Sequence, residues 1–127
     1  MISWVDAVAG RYGVPVSNLT NALSDGRALC LLIHQYHPEL VPLRSIQMTT
    51  RNINEQLHSS VVTIQILKKA LENERRNFTL LRKACHDLGG VPLMIPSYDT
   101  TNVPEEKSMI IFLGYLFTRL VDSSRAI

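Results

Sequence analysis

LSDGRALCLLIHQYHP, residues 23–38, reads as a tight turn followed by a helix that is apolar on nearly every side. Asp25 suits the N-cap position, where its carboxylate can accept from backbone N–H groups that a first helical turn leaves unpaired. Leu29, Leu32, Ile33 and Tyr36 recur at i, i+3, i+4 and i+7 and so share one helical face. Ala28, Cys30 and Leu31 make the remaining faces apolar as well, which predicts a helix buried all round. His37-Pro38 ends it, because a residue before proline is pushed out of helical geometry. Such a helix is stable only when other helices cover it.

The rest of the chain supplies that cover. Its 127 residues suit one domain with one core, and a hydrophobic content of 46% excludes a disordered chain. The longest unbroken apolar run, residues 28–33, is far too short to span a membrane. The N-terminus lacks the basic, apolar and small-residue order of a signal peptide. Cys30 and Cys85 both sit in apolar helical patterns and read as reduced, buried thiols of an intracellular protein, in preference to a disulfide. No internal repeat or low-complexity tract is present. The chain opens directly into one helix and stops soon after another. The expectation is therefore a domain cut from a longer protein, with residues 1–122 as the domain and 123–127 as the start of a linker or outgoing helix.

Ser3 with Asp6 three residues on resembles a capping box, and Trp4, Val5, Val8 and Tyr12 follow at helical spacing, with Trp4 as a core anchor. Gly13 closes that helix, with Pro15 beyond it. Residues 14–21 read as a loop, and 41–60 as an irregular connection holding one short turn. A helix is predicted from Ser60, with Val62, Ile66, Leu67, Ala70 and Leu71 on its apolar face. Asn77 is read as the cap of a further helix that buries Leu80, Leu81, Ala84, Cys85 and Leu88 and closes at Gly89-Gly90. Residues 91–101, with Pro92 and Pro96, read as a loop. Pro104 suits the first position of the last helix, and Glu105 and Glu106 favour its positive end. From Met109 to Val121 only Gly114, Thr118 and Arg119 are not apolar, which predicts a core element. No segment alternates with period two, so the fold class is all-α.

DGRALCLLIHQYHP, then NFTLLRKACHDLGGVP, then PEEKSMIIFLGYLFTRL, together with a tryptophan in the first helix, resemble in order the landmarks of a calponin homology domain. The resemblance covers almost the whole chain. It implies a compact bundle of four main helices plus short connecting helices around a buried central helix. ALCLLIHQYHP, ENERRNF, DLGGVP and NVPEEKSMIIFLGYLFTRLVD resemble more narrowly the abnormal spindle family of large mitotic spindle-pole proteins, and within it the second domain of a calponin homology tandem. Members carry downstream IQ motifs that bind calmodulin, so calmodulin is implied as a partner outside this fragment, and Arg125-Ala126-Ile127 stand where the IQ-bearing helix would begin. The relatives carry a longer insert between the central helix and ENERRNF than this chain does. The implied location is cytoplasm and cytoskeleton, at the spindle pole or centrosome in mitosis, with the nucleus in interphase.

The residues themselves offer no catalytic constellation. Ser59 and Ser60 lack a glycine-elbow context, and no paired carboxylates fall in a recognisable motif, so the chain reads as no enzyme and as needing no cofactor. Cys30, His34 and His37, with Cys85-His86, could approach one another as metal ligands. Without a full ligand motif they read instead as a buried thiol and helix-end imidazoles. Ile64-Gln65 with Lys69 resembles the opening of an IQ motif, but Ala70 and Glu74 replace its glycine and second basic residue. The stretch therefore reads as core helix and not as a calmodulin site.

Charge is the informative feature. Lys68, Lys69, Arg75, Arg76, Arg82 and Lys83 lie within sixteen residues and are opposed only by Glu72 and Glu74, so this segment carries +4 while the rest of the chain sums to −2. At about 100° per residue, the six would occupy an arc of about 140° on a continuous helix. The Asn77 cap predicts a break between the first four and the last two. A solvated face that only aids solubility accounts for the charge equally well. The family resemblance favours a binding surface for an acidic polymer, with these six residues as the filament-binding candidates. Microtubules and tubulin come first and F-actin second. The third reading is a structural partner of the adjacent calponin homology domain with no strong filament binding of its own. Nucleic acid is disfavoured, since Phe78, the only aromatic in the segment, belongs to the apolar stripe; no membrane partner is expected.

Overall fold

The computed structural model describes residues 2–50, 64–89, 91 and 106–122, and every regular element among them is helical. Helix α1 spans Ile2–Gly10, α2 Arg27–Tyr36, α3 Ile64–Leu88 and α4 Glu106–Phe117. Short 3-10 turns at Asn21–Leu23 and Leu43–Ser45 bracket α2 in the chain. Helices α1 and α3 both pack on α2, and the chain following α4 also reaches it.

Helix α2 is the buried centre that its composition predicts. Residues 28–33 are all fully excluded from solvent. Its N-terminus differs in one detail from the sequence reading. Gly26 occupies the cap position, with φ of 79°, and Asp25 reaches over it so that Oδ1 accepts the Arg27 N–H at 3.0 Å. The helix ends at His37, as expected, whose N–H still donates to the Ile33 carbonyl at 2.7 Å before the backbone leaves helical geometry at φ −138° and ψ 71°.

In α1, Val5, Val8 and Ala9 face the core. Ser3 lies within the helix, so the expected capping box does not form. Asp6 instead accepts the Val16 N–H at 2.9 Å and ties the following loop back to α1. Gly13 closes the helix as predicted. With φ of 82° it allows Val14 N–H to reach Ala9 O and its own N–H to reach Gly10 O, the paired bonds of a Schellman turn. Trp4 is an anchor between helices: its indole N–H donates to the Tyr36 hydroxyl at 3.2 Å, and its ring meets Phe117 edge-on at 5.1 Å. Within the loop, Asn18 Oδ1 accepts from Thr20 N and Ala22 N, both at 3.0 Å, and so winds the first 3-10 turn.

Helix α4 corrects a third expectation. Met109, Phe112, Leu113 and Leu116 are buried, but Ile110, Ile111 and Tyr115 on the opposite side are exposed. The helix is apolar on two sides and only one enters the core. Thr118 Oγ1 donates back to Gly114 O at 3.0 Å, and the chain there relaxes into wider π-type turns over Thr118–Asp122. Arg119 Nε donates to Gly89 O at 2.6 Å and ties this end to the terminus of α3. The expectations for Pro104 and Glu105, for the loop after Val91, and for residues 51–63 and 123–127 lie outside the described residues.

Leu29, Leu32, Ile33, Phe112 and Leu116 are all fully buried in one contiguous core. Leu32→Ala is expected to cost about 2–5 kcal/mol in a urea melt, through lost burial and the cavity left behind. Cys30 and Cys85 are free and buried. Burial, then the charges of Asp25 and Cys85, pushes the Cys30 thiol far up; burial pushes Cys85 up to about 11. The folded protein therefore keeps these protons where an unfolded chain, with thiols near pKa 8.5, gives them up. Stability from the neutral thiols should be intact below that pH and decline as pH rises toward 11. Urea melts from pH 8 to 11 should show that decline, with a flatter slope for Cys85→Ala.

Candidate functional site

Residues 64–88 form a single helix, rising about 37 Å over its 25 residues. The predicted break at Asn77 does not occur. Asparagine is a common cap because its side chain competes for backbone groups, but here it satisfies backbone groups that are distant in sequence. Its Nδ2 donates to Asp25 O at 3.0 Å and to Gln47 O at 2.9 Å, while its Oδ1 accepts from Gln47 N at 2.8 Å. Both donors and the acceptor are used within a fully buried residue. One turn earlier, Asn73 Nδ2 donates to Thr49 O at 2.8 Å. Cys30 Sγ donates to the Asn77 carbonyl at 3.3 Å.

The stripe that α3 buries is Ala70, Asn73, Glu74, Asn77, Phe78, Leu81, Ala84 and Cys85. It is more polar than the sequence reading, which placed Ile66 and Leu67 inside. Those two are exposed, and Ile64 is 75% exposed, so the first turns of α3 carry their apolar side chains beyond the core. The reading of Ile64-Gln65 as core helix is corrected accordingly.

Continuity of α3 unites the six basic residues. All six lie within an arc of about 140° opposite the buried stripe, over about 22 Å of helix. Lys68, Lys69, Arg75, Arg76 and Lys83 are exposed and Arg82 is half-buried. Glu74, counted against them in the sequence, points into the core at 0% exposure. Glu72 is then the only carboxylate among residues 68–83 on the solvent side, and it sits 3.9 Å from Lys69. The side chains of Lys68, Arg75, Arg76 and Lys83 form no ion pair among the described residues.

Beside this face runs a groove of about 400 Å³, lined by Ser45, Gln47, Arg76, Thr79, Leu80 and Lys83. Its loop wall was missed in the sequence, since Gln47 reaches α3 only through Asn77. A second, more apolar hollow of about 480 Å³ lies on α4 between Ile111, Gly114, Tyr115, Thr118 and Arg119. The metal-ligand candidates do not converge. Cys30 faces Asn77, His34 Nδ1 pairs with Val41 O at 2.8 Å, and His37 Nδ1 with Glu39 Oε1 at 3.0 Å. Among the described residues no group of three His, Cys, Asp or Glu could hold a metal ion, and no helix is long and apolar enough to cross a membrane.

A family model described as the calponin homology (CH) domain matches residues 1–122. The chain belongs to the calponin homology family. Proteins titled "Abnormal spindle-like microcephaly-associated protein homolog" are similar to it: those of Bos taurus and Felis catus are 40% identical over 147 positions, covering 96% of this chain, and that of Macaca mulatta is 39% identical over 152 positions, covering 100%. This calponin homology chain spans 4% of the length of each of these relatives. The Macaca mulatta match runs longer than the 127 residues here, so that relative holds extra residues within the matched span. No solved structure matches.

The orientation of the basic face rests on Asn77. Asn77→Ala leaves Asp25 O, Gln47 O and Gln47 N–H without their partner. The expected loss is about 3 kcal/mol or more, since unsatisfied buried polar groups cost about 1–3 kcal/mol each. Asn77→Asp keeps the acceptor but not the donors and should be destabilised as well. Urea melts of both variants check this.

Proposed function

We propose that this calponin homology domain is a non-enzymatic cytoskeletal binding module of a spindle protein, and that it contributes to microtubule association at the spindle pole through the basic face of α3. One observation carries the reading: six cations on a single continuous helix, opposed on the solvent side of residues 68–83 by Glu72 alone. The family and the spindle proteins among its relatives support a cytoskeletal setting. An acidic filament surface is the partner whose charge complements such a face, and long-range attraction of this kind steers encounter as well as binding. F-actin is the alternative filament.

A second reading is favoured by α4. Ile110, Ile111 and Tyr115 leave an exposed apolar side on a helix whose other side is core. A domain with such a side packs well on a neighbouring domain, which is the role of a structural tandem partner. The two readings use opposite kinds of surface and separate in one assay.

Reversing Lys68, Lys69, Arg75 and Arg76 to glutamate should abolish microtubule co-sedimentation while leaving the circular dichroism spectrum and melting behaviour close to wild type, because the substituted side chains are exposed. Reversal of the exposed Arg11 on α1's closing turn should change binding much less. Wild-type binding should also weaken steeply with salt, as the Debye length falls from about 10 Å at 0.1 M to about 3 Å at 1 M. Pelleting of the quadruple variant at wild-type levels in low salt replaces this reading with the structural one, and preferential pelleting with actin filaments replaces tubulin by actin.

A further inference from the structure

We propose that the groove between residues 45–47 and the basic edge of α3 seats an extended acidic peptide segment of the partner, with an apolar side chain lying between its carboxylates. The proposal deepens the filament reading, and it rests on that reading in taking the occupant from an acidic polymer.

The groove has two cations and an apolar floor in fixed positions. Arg76 and Lys83 are seven residues apart, which puts them on the same edge of α3, about 10 Å apart along its axis. Neither forms an ion pair among the described residues, and both are exposed. Between them Leu80 is half-buried and packs against the core, offering an apolar surface at the bottom. Arg44, one residue before Ser45, adds a further exposed cation beside the far wall. No carboxylate lines the groove among the described residues.

The far wall is held rigidly. The Gln47 N–H and carbonyl are both bonded to the Asn77 carboxamide, and Ile46, extended at φ −81° and ψ 124°, is buried between them and the core. The wall therefore needs no ordering when a ligand enters, which removes one of the usual costs of association. A volume of about 400 Å³ is near the low end of ligand-sized clefts, about 300–1,000 Å³. It suits two or three side chains of an extended peptide and not a globular surface. Two cations flanking an apolar strip select carboxylates spaced around a leucine-like residue. A uniformly charged polymer needs only the open face of α3 and would leave Leu80 uncovered.

The test is a nitrogen-15 NMR titration of this chain with the acetylated peptide Glu-Glu-Leu-Glu-Glu at low salt. Shift changes should concentrate at Ser45, Gln47, Thr79, Leu80 and Lys83. Lys83→Glu, which lies outside the filament quadruple, should weaken the peptide about fivefold or more, and the control peptide Gln-Gln-Leu-Gln-Gln should not bind. Shifts spread along Lys68 to Arg76 with none at Ser45 and Gln47 overturn the groove. Equal binding of a phosphoserine peptide without carboxylates overturns its assignment to carboxylates. The filament reading is judged separately: co-sedimentation with no peptide in the groove leaves that reading standing and removes this one. A peptide seated in the groove by a chain that pellets with neither filament supports the groove and removes the filament reading.

Discussion

The carboxamide of Asn77 is the interaction on which the other parts depend. It sits where three segments meet: the turn before α2, the loop at Gln47 and the middle of α3. Gly26 completes the junction. A Cβ at position 26 would stand 2.8 Å from the Asn77 Cβ, and its φ of 79° is one that side chains disfavour. The collision would be with the stem of Asn77 and not with a flexible tip, so the backbone would have to move. Asp25 adds a second layer, accepting from Arg27 N, Arg27 Nε and Thr50 Oγ1 at 3.0, 2.7 and 2.6 Å. A hydrophobic contact at this place would hold α3 against α2 at many rotations. A fully bonded amide allows one, because any turn of α3 about its axis strands buried polar groups.

That rotation decides where charge goes. With Asn77 inward, Glu74 is inward too, and the cations at residues 68–83 must face solvent. The same geometry places Arg76 and Lys83 along the wall that Gln47 forms. The groove and the basic face are consequences of one polar contact in the interior.

Apolar surface is distributed less economically. Helix α4 has more apolar residues than the core can accept, so Ile110, Ile111 and Tyr115 remain outside, and the first turns of α3 leave Ile64, Ile66 and Leu67 exposed. Meanwhile Asn73, Glu74 and Asn77 occupy interior positions. Burying amides and exposing isoleucines runs against transfer free energy. The Asn77 amide is offset in full by hydrogen bonds to the loop backbone of Asp25 and Gln47, and the Asn73 amide in part, through its Nδ2 donating to Thr49 O while its buried Oδ1 has no partner among the described residues.

Sequence alone determined the helical class, the burial of residues 28–33, the helix ends at Gly13, His37 and Gly89, and the existence of a clustered positive charge. Each follows from local rules: a periodic apolar pattern, a left-handed glycine, a residue pushed out of helical geometry by the next proline, a count of side chains. Tertiary structure decided the rest. Asn77 carries the same local signal whether it caps a helix or bridges two distant loops, and only the arrival of Asp25 and Gln47, 52 and 30 residues away in sequence, selects the bridge. Whether six cations form one surface or two depended on that choice, as did the inward turn of Glu74. The apolar side of α4 that stays in solvent was equally hidden, because periodicity shows that a residue is apolar but not whether the core has room for it.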